Sequence, residues 1–155
     1  MLKVYKPTLE DLWFREKLMS DKDTMSYNNA YGGTIPFPKV DWEKWYQAWV
    51  NGSKVNTFYR YLQDDKSNNY IGEIAYHFDK RREIYICSVI ILSQYRNQGF
   101  GSEAINMICS LAKENGVLTL YDNIAADNPS VKLFLKNGFT IDFQNEEIIM
   151  VKKVL

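Results

Sequence analysis

The sequence predicts one α+β (mixed α/β) domain, in which a central, mostly antiparallel sheet of about seven strands is flanked by about four helices. The chain has 155 residues, which suits one domain of ordinary size over residues 1–155. Runs rich in β-branched and aromatic residues predict strands, whereas apolar residues spaced by three or four predict helices. The runs follow the order β-α-α-β-β-β-α-β-α-β-β, and no linker or repeat interrupts them.

The first elements are an edge strand and a helix. Residues 2–7 (LKVYKP) predict the strand, which the proline stops. Thr8 and Asp11 then resemble a capping box that opens a helix over residues 9–20. Residues 23–38 hold paired glycines and two prolines but many aromatics, so we expect an ordered loop rather than a solvated linker.

A second helix and three strands are predicted next. Trp42, Trp45 and Trp49 stand at helical spacing in a segment that begins at Asp41 and stops at Gly52. Three strand-like runs follow, over residues 56–63, 69–78 and 82–92. Only short polar segments separate these runs, so we expect three consecutive antiparallel strands.

The last third of the chain alternates helices and strands. A helix that begins after the third antiparallel strand ends at Gly116, a residue suited to the left-handed helix terminus. Residues 117–124 predict a strand, and Asn128 with Pro129 predicts the start of a helix that Gly138 closes. The final two strands are predicted over residues 139–143 and 147–155.

Composition and charge narrow the class of protein. Nineteen basic and nineteen acidic residues cancel, so no global field attracts nucleic acid or an anionic membrane. Cys87 and Cys109 lie in separate apolar runs, which argues against a zinc site or a disulfide framework. No signal segment opens the chain, and no apolar run approaches the roughly 20 residues of a membrane span. We therefore expect a cytoplasmic protein with no metal, membrane or nucleic-acid partner.

Residues 93–101 (SQYRNQGFG), here called the glycine loop, connect the third antiparallel strand to the next helix. Gly99 and Gly101 allow the backbone to approach a ligand that a Cβ would obstruct. The free N–H groups and the positive end of the helix lie at the same place, which favours a phosphate. The spacing differs from the dinucleotide-binding and P-loop patterns. A tight turn that uses glycine only for its geometry is the alternative interpretation.

Two motifs in one order indicate a family. The pattern Q/R-x-x-G-x-G/A is matched without a gap by Arg96, Asn97, Gln98, Gly99, Phe100 and Gly101. An Asn that starts a helix ending in Gly-Phe is matched by Asn128 and residues 138–139. Together the motifs resemble those of the GNAT superfamily of N-acetyltransferases. The resemblance implies acetyl-coenzyme A as acetyl donor, with its pyrophosphate on the amides of residues 97–102 and its pantetheine arm along strand 83–92.

The resemblance also implies which residues contact the acetyl donor. Backbone N–H groups near Val89 to Ile91 are expected to stabilise the oxyanion that forms at the thioester carbonyl. Phe134 stands where many relatives carry a tyrosine that protonates the leaving thiolate, so it keeps the packing but donates no proton. The implied cofactor-binding residues are Val89, Ile91, Arg96, Asn97, Gln98, Gly99, Phe100, Gly101, Ser102, Asn128 and Phe134.

The family's usual position for a general base is occupied by Tyr85, which we expect to orient a water. Glu83, two residues earlier on the same predicted strand, and Glu73 and His77 on the preceding strand are the substitutes. Strand alternation does not decide whether the face of Glu73 and His77 is also that of Tyr85. A partly buried His77 and a solvent-facing or ion-paired Glu73 are the alternatives. Glu73 is our first choice, because desolvation on a central strand raises the pKa of a carboxyl.

The acceptor is expected to be the primary amine of a small molecule or a peptide, bound between the first two helices. Aromatic side chains there can hold an ammonium group through cation–π contacts. Tyr27, Tyr31 and Phe37 are the substrate-binding candidates, whereas Trp45 and Trp49 are interpreted as core. A domain that binds coenzyme A or a partner protein with little or no catalysis is the alternative function. A structural domain without a cofactor is a third, and homodimer formation is left open.

Overall fold

The elements of the protein follow the predicted order in a computed structural model that describes residues 1–52 and 56–155. The side chains of residues 30 and 31 lie outside that description. The strands are β1 (Leu2–Tyr5), β2 (Thr57–Asp64), β3 (Tyr70–Asp79), β4 (Ile84–Ile91), β5 (Thr119–Ala125), β6 (Thr140–Gln144) and β7 (Ile148–Val154). The helices are α1 (Trp13–Ser20), α2 (Trp42–Trp49), α3 (Phe100–Glu114) and α4 (Ser130–Lys136).

The strands form one sheet in the order β1-β2-β3-β4-β5-β7-β6. Neighbouring strands are antiparallel except β4 and β5, which are parallel. The predicted fold class is therefore confirmed, including the three consecutive antiparallel strands β2, β3 and β4. Short 3-10 helices cover Leu9–Leu12, Thr24–Tyr31, Lys39–Asp41 and Ser93–Tyr95.

Local signals at the helix ends act as the sequence predicts. The Thr8 N–H donates to Asp11 Oδ2 at 2.9 Å, which forms one half of the predicted capping box. Gly116 and Gly138 follow α3 and α4 with φ angles of 89° and 94°. Only glycine adopts this left-handed conformation without strain, so both helices end where these residues occur.

The sheet has a hydrophobic core on each face. Helices α3 and α4 cover one face through a cluster that includes Ile74, Cys87, Leu120, Ile124 and Val151. Helices α1 and α2 pack against the other face, whose cluster includes Phe14, Leu18, Tyr59, Tyr61 and Ile90. Alternate residues of the central strands therefore point to different layers, as the two-residue period of a strand requires.

The strand register assigns the candidate bases to faces. Glu73 pairs with Ile90, and His77 pairs with Ile86, whereas Tyr85 pairs with Phe78. Residues that pair directly across two strands point to the same face of the sheet. Glu73 and His77 therefore face α1 and α2, and Tyr85 lies on the opposite face.

Both cysteines are free thiols that lie buried in the protein. Within residues 1–52 and 56–155, no helix is long and apolar enough to cross a membrane. The same residues contain no cluster of three or more side chains of the types that ligate metals.

Candidate active site

The two parallel strands at the centre of the sheet part after a short contact. Two register pairs join them, Tyr85 with Leu120 and Ile86 with Tyr121. Beyond these pairs, both strands continue to the ends given above without pairing to each other in the part of the chain that the structure describes. We call this gap the β4–β5 opening. Its closed end lies at the pair of Ile86 with Tyr121.

Backbone amides of β4 point into the β4–β5 opening. The Leu92 N–H, just after β4, points towards β3 and donates to the Ile71 carbonyl at 2.9 Å. Peptide groups alternate in direction along a strand, and the β3–β4 register is regular as far as this pair. The N–H groups of Val89 and Ile91 consequently face away from β3 and towards the opening. Their direction is the one that the predicted oxyanion contact requires.

The glycine loop places the start of α3 at the mouth of the opening. Gly99 precedes the helix in the left-handed conformation, with φ of 85°. The first bond within the helix runs from the Glu103 N–H to the Gly99 carbonyl. The N–H groups that come before it belong to Phe100, Gly101 and Ser102. Unpaired amides at a helix start, together with the helix dipole, attract an anion.

The two glycines of the loop serve different purposes. A Cβ on Gly99 would meet no atom within 4 Å, so its need for glycine comes from its positive φ. A Cβ on Gly101 would lie 2.6 Å from Leu133 Cδ2 on α4. The need for glycine at position 101 is therefore explained by its packing against Leu133, and contact of its backbone with a ligand stays a prediction. Asn97 adds a third special position, with φ of 62°.

Residues 93–96 of the glycine loop bind the beginning of the segment between α1 and α2. The Arg96 guanidinium donates to the backbone carbonyls of Asp23 at 3.2 Å and Thr24 at 2.6 Å. The Ser93 N–H donates to Thr24 Oγ1, and the Ser93 hydroxyl donates to Asp21 Oδ2. Hydrogen bonds from Thr24 lower the pKa of Asp21, which keeps this carboxylate ionised. The network attaches the α1–α2 segment to the loop expected to hold phosphate.

Glu73 is buried on the α1/α2 face and has two partners. The residue is 4% exposed, and its carboxylate accepts a hydrogen bond from the Tyr59 hydroxyl. Arg15 Nε lies 3.8 Å from the same carboxylate. Burial raises the pKa of Glu73, whereas Arg15 and the Tyr59 hydroxyl act in the opposite direction. Glu73 is therefore a desolvated carboxyl held in place, and it does not face solvent.

The Arg15 guanidinium lies among aromatic rings. Its central carbon is 4.5 Å from the ring centre of Phe37 and 4.3 Å from that of Trp45. Arg15 Nε is buried without a hydrogen-bond partner. The aromatic rings expected to bind the ammonium group of the substrate thus contact the guanidinium of Arg15 instead. Phe37, a predicted substrate contact, is 7% exposed and lies within this packing.

Of the three residues predicted to bind the substrate, Tyr27 has a described and partly exposed side chain. Its side chain is 38% exposed. Burial, with smaller contributions from the charges of Glu73 and Asp122, raises the pKa of its hydroxyl to about 12. The charges of Glu73 on β3 and Asp122 on β5, the two strands that flank β4, both affect the Tyr27 hydroxyl. The side chain of Tyr31, another predicted contact, lies outside the described residues.

Asp122 occupies a position that sequence reasoning missed. It follows directly after the last β4–β5 pair, and it pairs on its other side with Val151 of β7. Val151 is buried beneath α3 and α4, so Asp122 points to that face. Burial raises the pKa of this carboxyl from 3.8 to about 7, and the Asn123 N–H opposes the rise. About half of the Asp122 carboxyls therefore carry a proton at neutral pH, where an ordinary aspartate is almost fully ionised.

The other proposed bases lie in different surroundings. Glu83 is exposed in the turn before β4, with φ of 56°, so the expectation that it shares a strand face with Tyr85 is wrong. The turn uses all four residues between β3 and β4, which leaves Glu83 outside the ladder. His77 is half-buried with its ring centre 5.7 Å from that of Trp49. Burial lowers the pKa of His77 and favours the neutral ring.

Two predicted cofactor contacts on and before α4 have local structural partners. Asn128 Oδ1 accepts a hydrogen bond from the Ser130 N–H at 2.9 Å, as expected of a residue that opens a helix. Phe134 is 3% exposed and packs edge-on against Phe139, with ring centres 5.0 Å apart. The ring of Phe134, which we expected to contact a ligand, is therefore enclosed by the core.

A sheet that opens between two parallel strands, beside a glycine loop and a helix start, is the architecture of an acetyltransferase domain. The chain matches the model of the acetyltransferase (GNAT) family over residues 18–139. It therefore belongs to the GNAT family and is an N-acetyltransferase by class. No curated protein matches the chain by sequence.

Solved structures share this fold at low sequence identity. The spermidine N-acetyltransferase of Vibrio cholerae, in complex with CoA and spermine, has a TM-score of 0.80 at 18% identity and covers 99% of this chain and 95% of that one. A GNAT acetyltransferase of Streptococcus pneumoniae has a TM-score of 0.79 at 17% identity and covers 100% of both chains. One from Bacillus anthracis has a TM-score of 0.77 at 18% identity, covering 99% and 94%.

Proposed function

We propose that the protein uses acetyl-coenzyme A to acetylate the primary amine of a small molecule or a peptide, by direct attack of the amine on the thioester. The observation that carries the proposal is the β4–β5 opening, into which the Val89 and Ile91 N–H groups point. The start of α3 stands at its mouth. A similar fold in a spermidine N-acetyltransferase in complex with CoA and spermine supports it.

The backbone of the chain supplies most of the proposed donor site. Amides of residues 97–102 would hold the pyrophosphate, because they lie at the positive end of α3. The N–H groups of Val89 and Ile91 would bind the thioester oxygen, where negative charge develops during attack. When bound, acetyl-coenzyme A supplies the activated acetyl group. Asn128 is a further proposed contact at the start of the last helix.

Glu73 is the proposed general base. A primary amine has a pKa near 10.4 and is almost wholly protonated at pH 7, so a proton must leave before attack. The raised pKa of Glu73 brings its carboxyl towards the range in which a base works well. His77 shares its sheet face and follows as the second candidate, and Glu83 follows after it. Tyr85 is proposed to orient a water.

The acceptor site is proposed to lie under the segment between α1 and α2. Tyr27 supports this placement, because the charges of Glu73 and Asp122, on the strands that flank β4, contribute to the raised pKa of its hydroxyl. Tyr31 remains a proposed contact from the sequence. The two free cysteines suit a reducing compartment, so the cytoplasm is the proposed location. Assembly as a homodimer remains open.

A coenzyme A release screen tests the proposal. The purified protein is incubated with acetyl-coenzyme A and, in separate reactions, polyamines, amino acids, aminoglycosides or peptides, and the acetylated product is identified by mass spectrometry. We expect amine-dependent release of free thiol with an equal amount of acetylated amine. Binding of acetyl-coenzyme A without product on any amine would favour the binding-domain alternative. Absence of binding would overturn both.

A further inference from the structure

The closed end of the β4–β5 opening brings Cys87 of β4 and Asp122 of β5 to the same level. Cys87 is the first β4 residue beyond the last register pair, and Asp122 is the first on β5. The pantetheine arm of acetyl-coenzyme A is expected to lie extended along β4. It would then run from the glycine loop at Leu92 towards Cys87. These residues are five positions apart, a span of about 17 Å in a strand. The far end of such an arm reaches the level of Asp122.

Within residues 1–52 and 56–155, the carboxyl of Asp122 has apolar neighbours and no ion-pair partner. Its neighbours on the same face of β5, Leu120 and Ile124, are apolar and buried, as is Val151 across the ladder. None of the ion pairs among the described residues includes Asp122. The charge of Asp122 contributes to the raised pKa of the Cys87 thiol and of the Tyr27 hydroxyl. A carboxyl in this position, at the closed end of the opening on the α3/α4 face, retains a proton in a substantial fraction of molecules at neutral pH.

Phe134 leaves the proposed reaction without its expected proton donor. Its ring has no hydroxyl and is enclosed by the core on the face that Asp122 shares. We infer that Asp122 donates a proton to the sulfur that leaves the acetyl group, an inference that rests on the proposed function. The neutral carboxyl of Asp122 is the acid, and no second residue is required for the transfer of its proton.

The proton and electron balance of the step is complete. The nitrogen lone pair forms the new C–N bond, and the C–S electron pair leaves on sulfur. Asp122 gives its proton to that sulfur and becomes a carboxylate. The nitrogen passes its surplus proton to the base or to water, and solvent returns a proton to Asp122. The products are the acetylated amine and the free thiol, with no other reactant consumed.

Titration of the thiol of bound coenzyme A tests the placement without turnover. The thiolate is followed by its ultraviolet absorbance in wild type and in Asp122→Asn, which keeps the side-chain shape. At alkaline pH, an ionised Asp122 beside the sulfur disfavours the thiolate, so we expect the thiol pKa to fall by about one unit in the variant. Glu114→Gln, which removes an exposed carboxylate at the far end of α3, should leave it unchanged.

Kinetics then test the proton transfer itself. Asp122→Asn should lower kcat about tenfold or more and remove the decline of kcat above pH 7, and Asp122→Glu should restore part of the rate. If Asp122→Asn unfolds, Asp122→Ser replaces it in both experiments. An unchanged thiol pKa overturns the inference, as does a shifted thiol pKa with an unchanged kcat. If wild type binds coenzyme A but acetylates no amine, the proposed function fails while the thiol titration still decides whether Asp122 lies beside the sulfur.

Discussion

Arg15 on α1 and Glu73 on β3 form an ion pair inside the protein, with Arg15 Nε 3.8 Å from the Glu73 carboxylate. The pair joins a helix of one layer to strand β3 of the sheet. The rings of Phe37 and Trp45 pack against the guanidinium, which is only partly accessible to water. Loss of one member of a buried pair leaves an uncompensated charge, which costs more than loss of both.

Replacement of Arg15 by methionine should therefore destabilise the protein by about 3–5 kcal/mol at neutral pH. The double variant Arg15→Met with Glu73→Gln should recover most of that loss. In the single variant the folded-state pKa of Glu73 rises further above its unfolded value, so stability falls as the pH increases. Denaturant unfolding at pH 5 and pH 8 measures both effects. A loss that is equal at the two pH values would contradict the pairing.

Glu73→Gln tests the proposed base. We expect kcat to fall by about a hundredfold or more with the affinity for acetyl-coenzyme A nearly unchanged, and the acid limb of the pH–rate profile to flatten. Thermal unfolding must accompany the kinetics, because glutamine also leaves Arg15 unpaired. His77→Ala and Glu83→Gln should each cost less than about fivefold. A large loss in one of these controls instead would transfer the role to that residue.

Tyr27→Ala tests the acceptor site. The variant should raise the KM for the amine while the dissociation constant of acetyl-coenzyme A stays the same, because Tyr27 belongs to the segment between α1 and α2. Trp13→Ala is a suitable control, since Trp13 is 50% exposed on α1 and outside that segment. A lower melting temperature with an unchanged KM would show that Tyr27 acts only in packing.

Asp122→Asn should stabilise the protein more at pH 8 than at pH 5. The folded-state pKa of Asp122 is raised to about 7 from an ordinary 3.8, so wild type loses stability as the pH rises through that window. Asparagine cannot ionise and avoids this loss, which we expect to be about 1–2 kcal/mol after allowance for partial exposure. Thermal unfolding of both proteins at the two pH values measures it. An equal effect at both pH values would contradict the raised pKa.

The fold class and the order of helices and strands could be predicted because their signals are local. Helix ends follow from Gly116 and Gly138, and the strands follow from runs of β-branched residues. The face shared by Glu73 and His77 could not be predicted, because a change of one residue in the turn at 80–83 would reverse it. The structure fixes it through the pairing of Glu73 with Ile90.

The site could be predicted only where a motif marks it. Gly99 belongs to a recognisable loop, whereas the reason for Gly101 is Leu133, which lies more than thirty positions later in the chain. Arg15 has the appearance of an ordinary charge on an amphipathic helix, and Asp122 that of an ordinary polar residue in a strand. Their surroundings come from pairings across the fold, which no local pattern of residues encodes.

The most direct measurement is calorimetric titration of acetyl-coenzyme A into wild type, Gly99→Val and Gly116→Val. Both glycines have positive φ and open space around the Cβ position, so the two substitutions carry similar backbone strain at opposite ends of α3. We expect binding in wild type and in Gly116→Val, and its loss in Gly99→Val. At about one hundred times the dissociation constant, the ligand should stabilise the two binding proteins by about 2.7 kcal/mol. Equal binding by all three proteins, or by none, would contradict a donor site at the glycine loop.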